Sequence, residues 1–231
     1  EIKQRVDAPI VMGGPHVSAC PKEVLSDPNV DFVIAGEAEK ALVKLVGALR
    51  AGDSYEGIAG LGFKKGKNLF LNPPGKNDDF QSLPLADFSD LDPQRYILGK
   101  QPLCFITTTR GCPHRCAFCS MHRTFTEGFQ RRDPEAVFRE MEKRFEQGYR
   151  VFDFEDDNLT FHKKDFTRLL QLIIHRWAPG KIRLVAMNGV STLSLDREVL
   201  SLMGQAGFSD LNLSLVSADK ESLAKVNRPH P

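Results

Sequence analysis

The chain has 231 residues, with 31 Lys and Arg against 30 Asp and Glu and a net charge of +1. Its 41% hydrophobic residues and 18 glycines are globular composition, which excludes disorder and collagen-like repeats, and the charge balance gives no strong nucleic-acid signal. No stretch approaches the roughly 20 apolar residues of a membrane span, and residues 1–25 lack a basic-then-apolar signal pattern, so the cytoplasm is the expected compartment.

The apolar runs Pro9 to Met12 and Asp31 to Ala35 read as short strands closing on Gly13-Gly14 and Gly36. Between Glu37 and Arg50, Ala38, Ala41, Leu42, Leu45, Val46 and Leu49 recur at helical spacing, and Gly52 can stop the helix. Residues 1–52 thus resemble the later part of an open parallel α/β sheet. Two strands cannot bury such a sheet on both faces, so further strands before Glu1 or packing on the next domain are expected. Residues 53–100 turn to Gly, Pro and charge, with Pro73-Pro74-Gly75 and Lys76-Asn77-Asp78-Asp79 as breakers. They read as a linker in which Ile58 to Phe63 and Asn68 to Leu71 form a hairpin across Lys64-Lys65-Gly66-Lys67.

From residue 101 to 231 the alternation is regular. Strands are expected at Leu103 to Ile106, Arg150 to Glu155, Ile182 to Met187 and Leu211 to Val216, with helices from Pro134, over Lys163 to Trp177 and over Asp196 to Ala206. Asp133 can cap the first helix with Pro134 at its first position, and Val137, Phe138, Met141 and Phe145 form its apolar stripe. This is parallel βα repetition, and periodicity alone does not choose between a doubly wound sheet and a barrel.

Five cysteines, an odd number, argue against a disulfide framework. Cys112, Cys116 and Cys119 crowd into Thr109-Arg110-Gly111-Cys112-Pro113-His114-Arg115-Cys116-Ala117-Phe118-Cys119-Ser120, directly after an expected strand. Thiolates are soft ligands for zinc, copper(I) or iron–sulfur clusters, and three are one fewer than a closed site takes. A vacant coordination position follows. A structural zinc completed by His122 or His114 is the competing reading.

The C-x3-C-x2-C spacing, with an aromatic residue before the last Cys and a βα series behind it, resembles the signature of the radical S-adenosylmethionine (radical SAM) enzymes. The resemblance implies a partial (β/α) barrel of about four of six strands. In it Cys112, Cys116 and Cys119 bind a 4Fe-4S cluster whose fourth iron chelates S-adenosylmethionine. One-electron reduction then cleaves the sulfonium to methionine and a 5'-deoxyadenosyl radical, with a flavodoxin or ferredoxin as donor. By the same resemblance Phe118 lies near the adenine and Glu155-Asp156-Asp157 meets the cofactor amino group, any one of the three making the contact. Asn188 ends the third strand, while Ser214 and Ser217 match the ribose- and carboxylate-contacting region. Acidic capping of a turn and a plain polar-out strand are the bland readings of these segments.

Gly13-Gly14-Pro15-His16 followed by Gly36-Glu37-Ala38-Glu39 resembles the later half of the cobalamin-binding domain that precedes many radical SAM barrels, which implies cobalamin contacts at Gly13, Gly14 and His16. The family's Asp-x-His-x-x-Gly segment is absent. A start at Glu1 and an end at Asn227-Arg228-Pro229-His230-Pro231 are the pattern expected of a piece of a longer enzyme. Methyl transfer, cyclisation and rearrangement on an unknown substrate are the reactions implied; a non-catalytic metal module and a corrinoid-binding protein are the alternatives.

Overall fold

The computed structural model describes residues 2–75, 80–126 and 128–229; the breakers Lys76, Asn77, Asp78 and Asp79, and His230 near the end, lie outside them. The chain divides into two compact units, Glu1–Asn77 with Phe118–Gly128, and Asp78–Ala117 with Phe129–Pro231.

In the first unit a short helix α1 (Ile2–Arg5) precedes β1 (Val11–Met12), α2 (Pro15–Ala19), α3 (Pro21–Ser26), β2 (Phe32–Ile34), α4 (Glu39–Ala51), β3 (Leu61–Lys65) and β4 (Asn68–Leu71). The sheet order is β1-β2-β3-β4, with β1 parallel to β2 and the remaining pairs antiparallel. The hairpin expected in the linker is therefore part of this sheet. Its turn is confined to Gly66 and Lys67, because Lys64 and Lys65 pair with Leu69 and Asn68. That corrects the placement of this hairpin in a linker over residues 53–100: it belongs to the sheet of the first unit. All three residues of β2 are buried, so its second edge needs a partner inside the unit, and β3 supplies it.

One face of the sheet packs Phe32, Ile34, Leu61 and Phe63 against Ala41 and Leu45 of α4, and the other gathers Val17, Leu25, Val30 and Val33. Only Ala41 and Leu45 of the α4 stripe are fully buried. Gly52 ends α4 in the left-handed region at φ 74°, as the helix-stop reading requires. The short helix α5 (Met121–Thr124), just past the cysteine loop, also lies in this unit, where Arg123 Nη1 donates to Ala19 O at 3.2 Å.

The second unit contains β5 (Ile97–Leu98), β6 (Gln101–Ile106), β7 (Thr109–Arg110), β8 (Gln130–Arg131), α6 (Pro134–Glu146), β9 (Val151–Phe154), α7 (Lys163–Arg176), β10 (Arg183–Val185), α8 (Arg197–Ala206) and α9 (Lys220–Lys225). Its main sheet runs β10-β9-β6-β5, with β6, β9 and β10 parallel and β5 antiparallel at the edge. Each successive parallel strand adds on the same side of the last. Among the described residues the strand order does not reverse, as a partial barrel requires.

Asp133 caps α6 by accepting from Ala136 N at 3.0 Å, and Asp196 caps α8 from Val199 N at 2.9 Å. The α6 stripe of Val137, Phe138, Met141 and Phe145 joins a core with Cys104, Ile106, Phe152, Phe154, Leu170, Ile173 and Leu184. The fourth strand expected over Leu211 to Val216 does not form as a ladder. A single parallel bridge joins Leu213 to Val190, and Leu211, Leu213, Leu215 and Val216 stay exposed. Burial of the leucine face is what would fix such a strand, and among the described residues nothing covers it.

Candidate functional site

The cysteine loop leaves the carboxyl end of β6, where barrel folds place their chemistry. Its first residues are tied to the end of β9. Asp156, 1% exposed, accepts from Thr108 N at 3.2 Å, Thr108 Oγ1 at 2.6 Å, Thr109 Oγ1 at 2.5 Å and Thr109 N. Burial pushes its carboxyl up to about 6, and the four donors restrain the rise. Next to it Asp157 accepts from Gly111 N at 2.9 Å, and burial raises its carboxyl as well.

All five cysteines are free thiols. Cys112 is half-buried and receives Asn158 Nδ2 at 3.4 Å; the other side-chain atom of Asn158, Oδ1, is buried without a partner. Cys116 is 3% exposed and receives Arg228 Nη1 at 3.9 Å. Cys119 is half-buried, and Phe118 before it is exposed; both fall within the first unit. Among the described residues no three His, Cys, Asp or Glu side chains are gathered as a metal site. His114 packs edge-on against Phe161 at 5.8 Å, and burial lowers its imidazole pKa, while His122 is exposed on α5.

Glu155 is half-buried and accepts Asn188 Nδ2 at 2.8 Å. Burial first, then the charge of Asp153, raises its carboxyl pKa. Asp153 itself is buried and holds Met187 N at 3.1 Å. Beyond the third strand Asn212 Nδ2 donates to Met187 O at 2.7 Å, and Ser214 packs so closely on Gly189 that a Cβ there would meet its Oγ at 2.7 Å. Ser217 accepts from Asp219 N at 3.0 Å, a turn contact before α9.

In the first unit Gly13 and Gly14 follow β1, and His16 is exposed on α2. Ser18 joins this turn to the next: its Oγ donates to Gly14 O at 3.0 Å and accepts from Gly36 N at 3.0 Å. Both glycine turns thus share one hydrogen-bonded edge at the carboxyl ends of parallel strands.

Sequence reading assigns no role to Thr108, Thr109, Asn158, Ser18, Asn227 or Arg228. A lone polar residue next to a turn carries no spacing signal. Arg131 and Arg132, a basic pair that resembles the cobalamin-domain subgroup but is equally read from sequence as an exposed pair, separate in the structure. Arg131 pairs with Asp165, whereas Arg132 forms a buried ion pair with Glu140 at 2.7 Å and donates to Thr107 O at 3.0 Å.

Residues 106–231 match the radical SAM superfamily model, and residues 1–46 match the B12 binding domain model. The chain is 32% identical over 158 residues to an uncharacterized methyltransferase of Pyrococcus horikoshii, covering 67% of this chain and 34% of that protein. It is 28% identical to the anaerobic magnesium-protoporphyrin IX monomethyl ester cyclase of Cereibacter sphaeroides, covering 94% of this chain and 37% of the relative. The radical S-adenosylmethionine methyltransferase TsrM of Kitasatospora setae, solved with tryptophan substrate and a SAM analogue, superposes with a TM-score of 0.79 at 22% identity, over 99% of this chain and 46% of TsrM. The chain thus spans about a third of the length of the first two relatives. With more than half its length matched to that one family model, on the same stretch that carries the cysteine loop and the parallel strands, the chain belongs to the radical SAM superfamily.

Proposed function

We propose that the protein acts as a radical SAM enzyme with a cobalamin-binding unit, transferring a methyl group to an organic substrate or closing a ring on it. The observation that carries this reading is the loop of free thiols Cys112, Cys116 and Cys119 leaving the first parallel strand, clasped at its root by Asp156. The donor set fits a 4Fe-4S cluster: soft ligands, one short of a closed shell, with amide and guanidinium donors already at two of the sulfurs. When bound, the cluster supplies the electron that cleaves S-adenosylmethionine reductively.

The remaining work falls to the chain. Asp156 is committed to Thr108 and Thr109, which leaves Glu155, presented with Asn188, as the carboxylate for the cofactor ammonium group. Asp157 orders Gly111 beside the first cysteine. Phe118, an exposed ring next to Cys119, offers a stacking face for adenine, and Ser214 and Ser217 offer hydroxyls for the ribose and carboxylate of S-adenosylmethionine. In the first unit Gly13, Gly14 and His16 would meet cobalamin; added Cβ atoms at Gly13 and Gly14 would come no closer to the chain than 3.8 Å, so a ligand can approach that backbone. No helix among the described residues is long and apolar enough to cross a membrane. The reading places the enzyme in the cytoplasm, with a flavodoxin or ferredoxin as its electron donor.

Anaerobic reconstitution of the full-length protein tests the reading. Uptake of iron and sulfide near about four of each per chain, with dithionite-dependent release of 5'-deoxyadenosine, is expected. Stoichiometric zinc without sulfide would overturn it.

A further inference from the structure

The segment after α9 does more than trail away from the fold. Val226 O accepts Ala117 N at 2.9 Å, Asn227 Nδ2 donates to Arg115 O at 3.0 Å, and Arg228 Nη1 reaches Cys116 Sγ at 3.9 Å. Three consecutive residues of one segment therefore hold three consecutive residues of the cysteine loop. The arrangement is fixed at both ends. Arg228 N donates to Leu223 O at 2.9 Å, and its second guanidinium nitrogen donates to Ser214 O at 3.3 Å. Asn227 adopts φ 52°, a left-handed conformation that asparagine tolerates better than most residues, and so turns its amide and the following arginine toward the loop.

Cys116 is 3% exposed and Arg228 half-buried, so the contact is screened less than one between two surface groups. A cation and an N–H donor at a ligating sulfur both favour the more negatively charged, reduced state of a cluster.

We propose that Arg228 is a positioning residue for the cysteine loop, which holds Cys116 in place and raises the reduction potential of the iron–sulfur centre bound there. This rests on the function proposed above and adds a residue outside the cysteine motif to it. The same guanidinium links the Ser214 backbone to the cluster loop, so the segment expected to contact S-adenosylmethionine and the segment that ligates iron share one anchor.

The test is an EPR-monitored redox titration of anaerobically reconstituted full-length protein, comparing wild type with Arg228→Gln, Arg228→Lys and Arg228→His. Arg228→Gln is expected to move the one-electron equilibrium about tenfold toward the oxidised cluster, about 59 mV more negative, while Arg228→Lys stays close to wild type. If Arg228→Gln fails to take up iron, Arg228→His carries the test. Relative to wild type at each pH, its potential should lie near wild type at about pH 5.5 and fall below it by about pH 8.5, as the imidazole loses its charge. A potential unchanged in Arg228→Gln, or in Arg228→His at both pH values, would overturn the proposal. Failure of wild type itself to bind iron and sulfide would instead overturn the radical SAM reading, and this inference with it.

Discussion

Asp156 shows how one side chain in an acidic run acquires a separate task. In sequence Glu155, Asp156 and Asp157 are equivalent carboxylates after a strand. In the structure Asp156 is buried beneath Thr108 and Thr109, and its proton affinity is higher than in the unfolded chain, about 6 against 3.8. The folded state therefore binds this proton more tightly. The associated stabilisation is complete below the unfolded value and is lost as pH rises through the folded one. Two pKa units correspond to about 3 kcal/mol. Asp156→Asn keeps the shape but removes the titration, so the stability of wild type relative to this variant should fall by up to about 3 kcal/mol between about pH 4 and about pH 7. Urea unfolding at a series of pH values checks this, and a difference that stays level across the range would show that Asp156 is not desolvated as the geometry implies.

The elements themselves followed their local signals where one residue type dominates the physics. Asp133 and Pro134 begin α6, Asp196 begins α8, and Gly52 ends α4, because capping and left-handed backbone are decided within one turn. Strand pairing was less legible. The β3–β4 hairpin was expected, but its addition to β2 was not; beyond the ladder of Phe32–Ile34 with Leu61–Phe63, an Ala35–Gly60 contact that no spacing rule marks joins the two strands. There Ala35 N donates to Gly60 O at 2.9 Å, Gly60 sits at φ 74°, and a Cβ would stand 2.7 Å from Ala35 O. Gly60→Ala should accordingly destabilise the first unit by about 2–3 kcal/mol, from left-handed strain plus the clash. Thermal or urea denaturation followed by the fluorescence of Tyr55, which packs on Phe32 and Phe63 of that sheet, would report it; a loss below about 0.5 kcal/mol would mean the two strands part easily.

Cofactor linkage belongs to the scale of the whole molecule, because a ligand that binds only the folded chain stabilises all the structure coupled to its site. If the proposed cluster assembles on Cys112, Cys116 and Cys119, the thermal midpoint should rise by about 5–10 °C at saturation. The triple variant with Ala at all three positions should show no rise. Anaerobic scanning of protein before and after reconstitution measures this, and an equal rise in the triple variant would place the metal elsewhere.

The sequence alone determined the cysteine loop, the parallel βα rhythm behind it and the glycine turns before it, since ligand spacing and hydrophobic period are properties of a short stretch of chain. Only the tertiary structure decided that the strands add in one direction as a barrel does, that Asp156 is a clasp rather than an open carboxylate, and that Arg228 meets Cys116 across 112 positions of chain. Those outcomes depend on which segments burial brings together. Contacts between segments so far apart leave no periodic trace in the residues that make them.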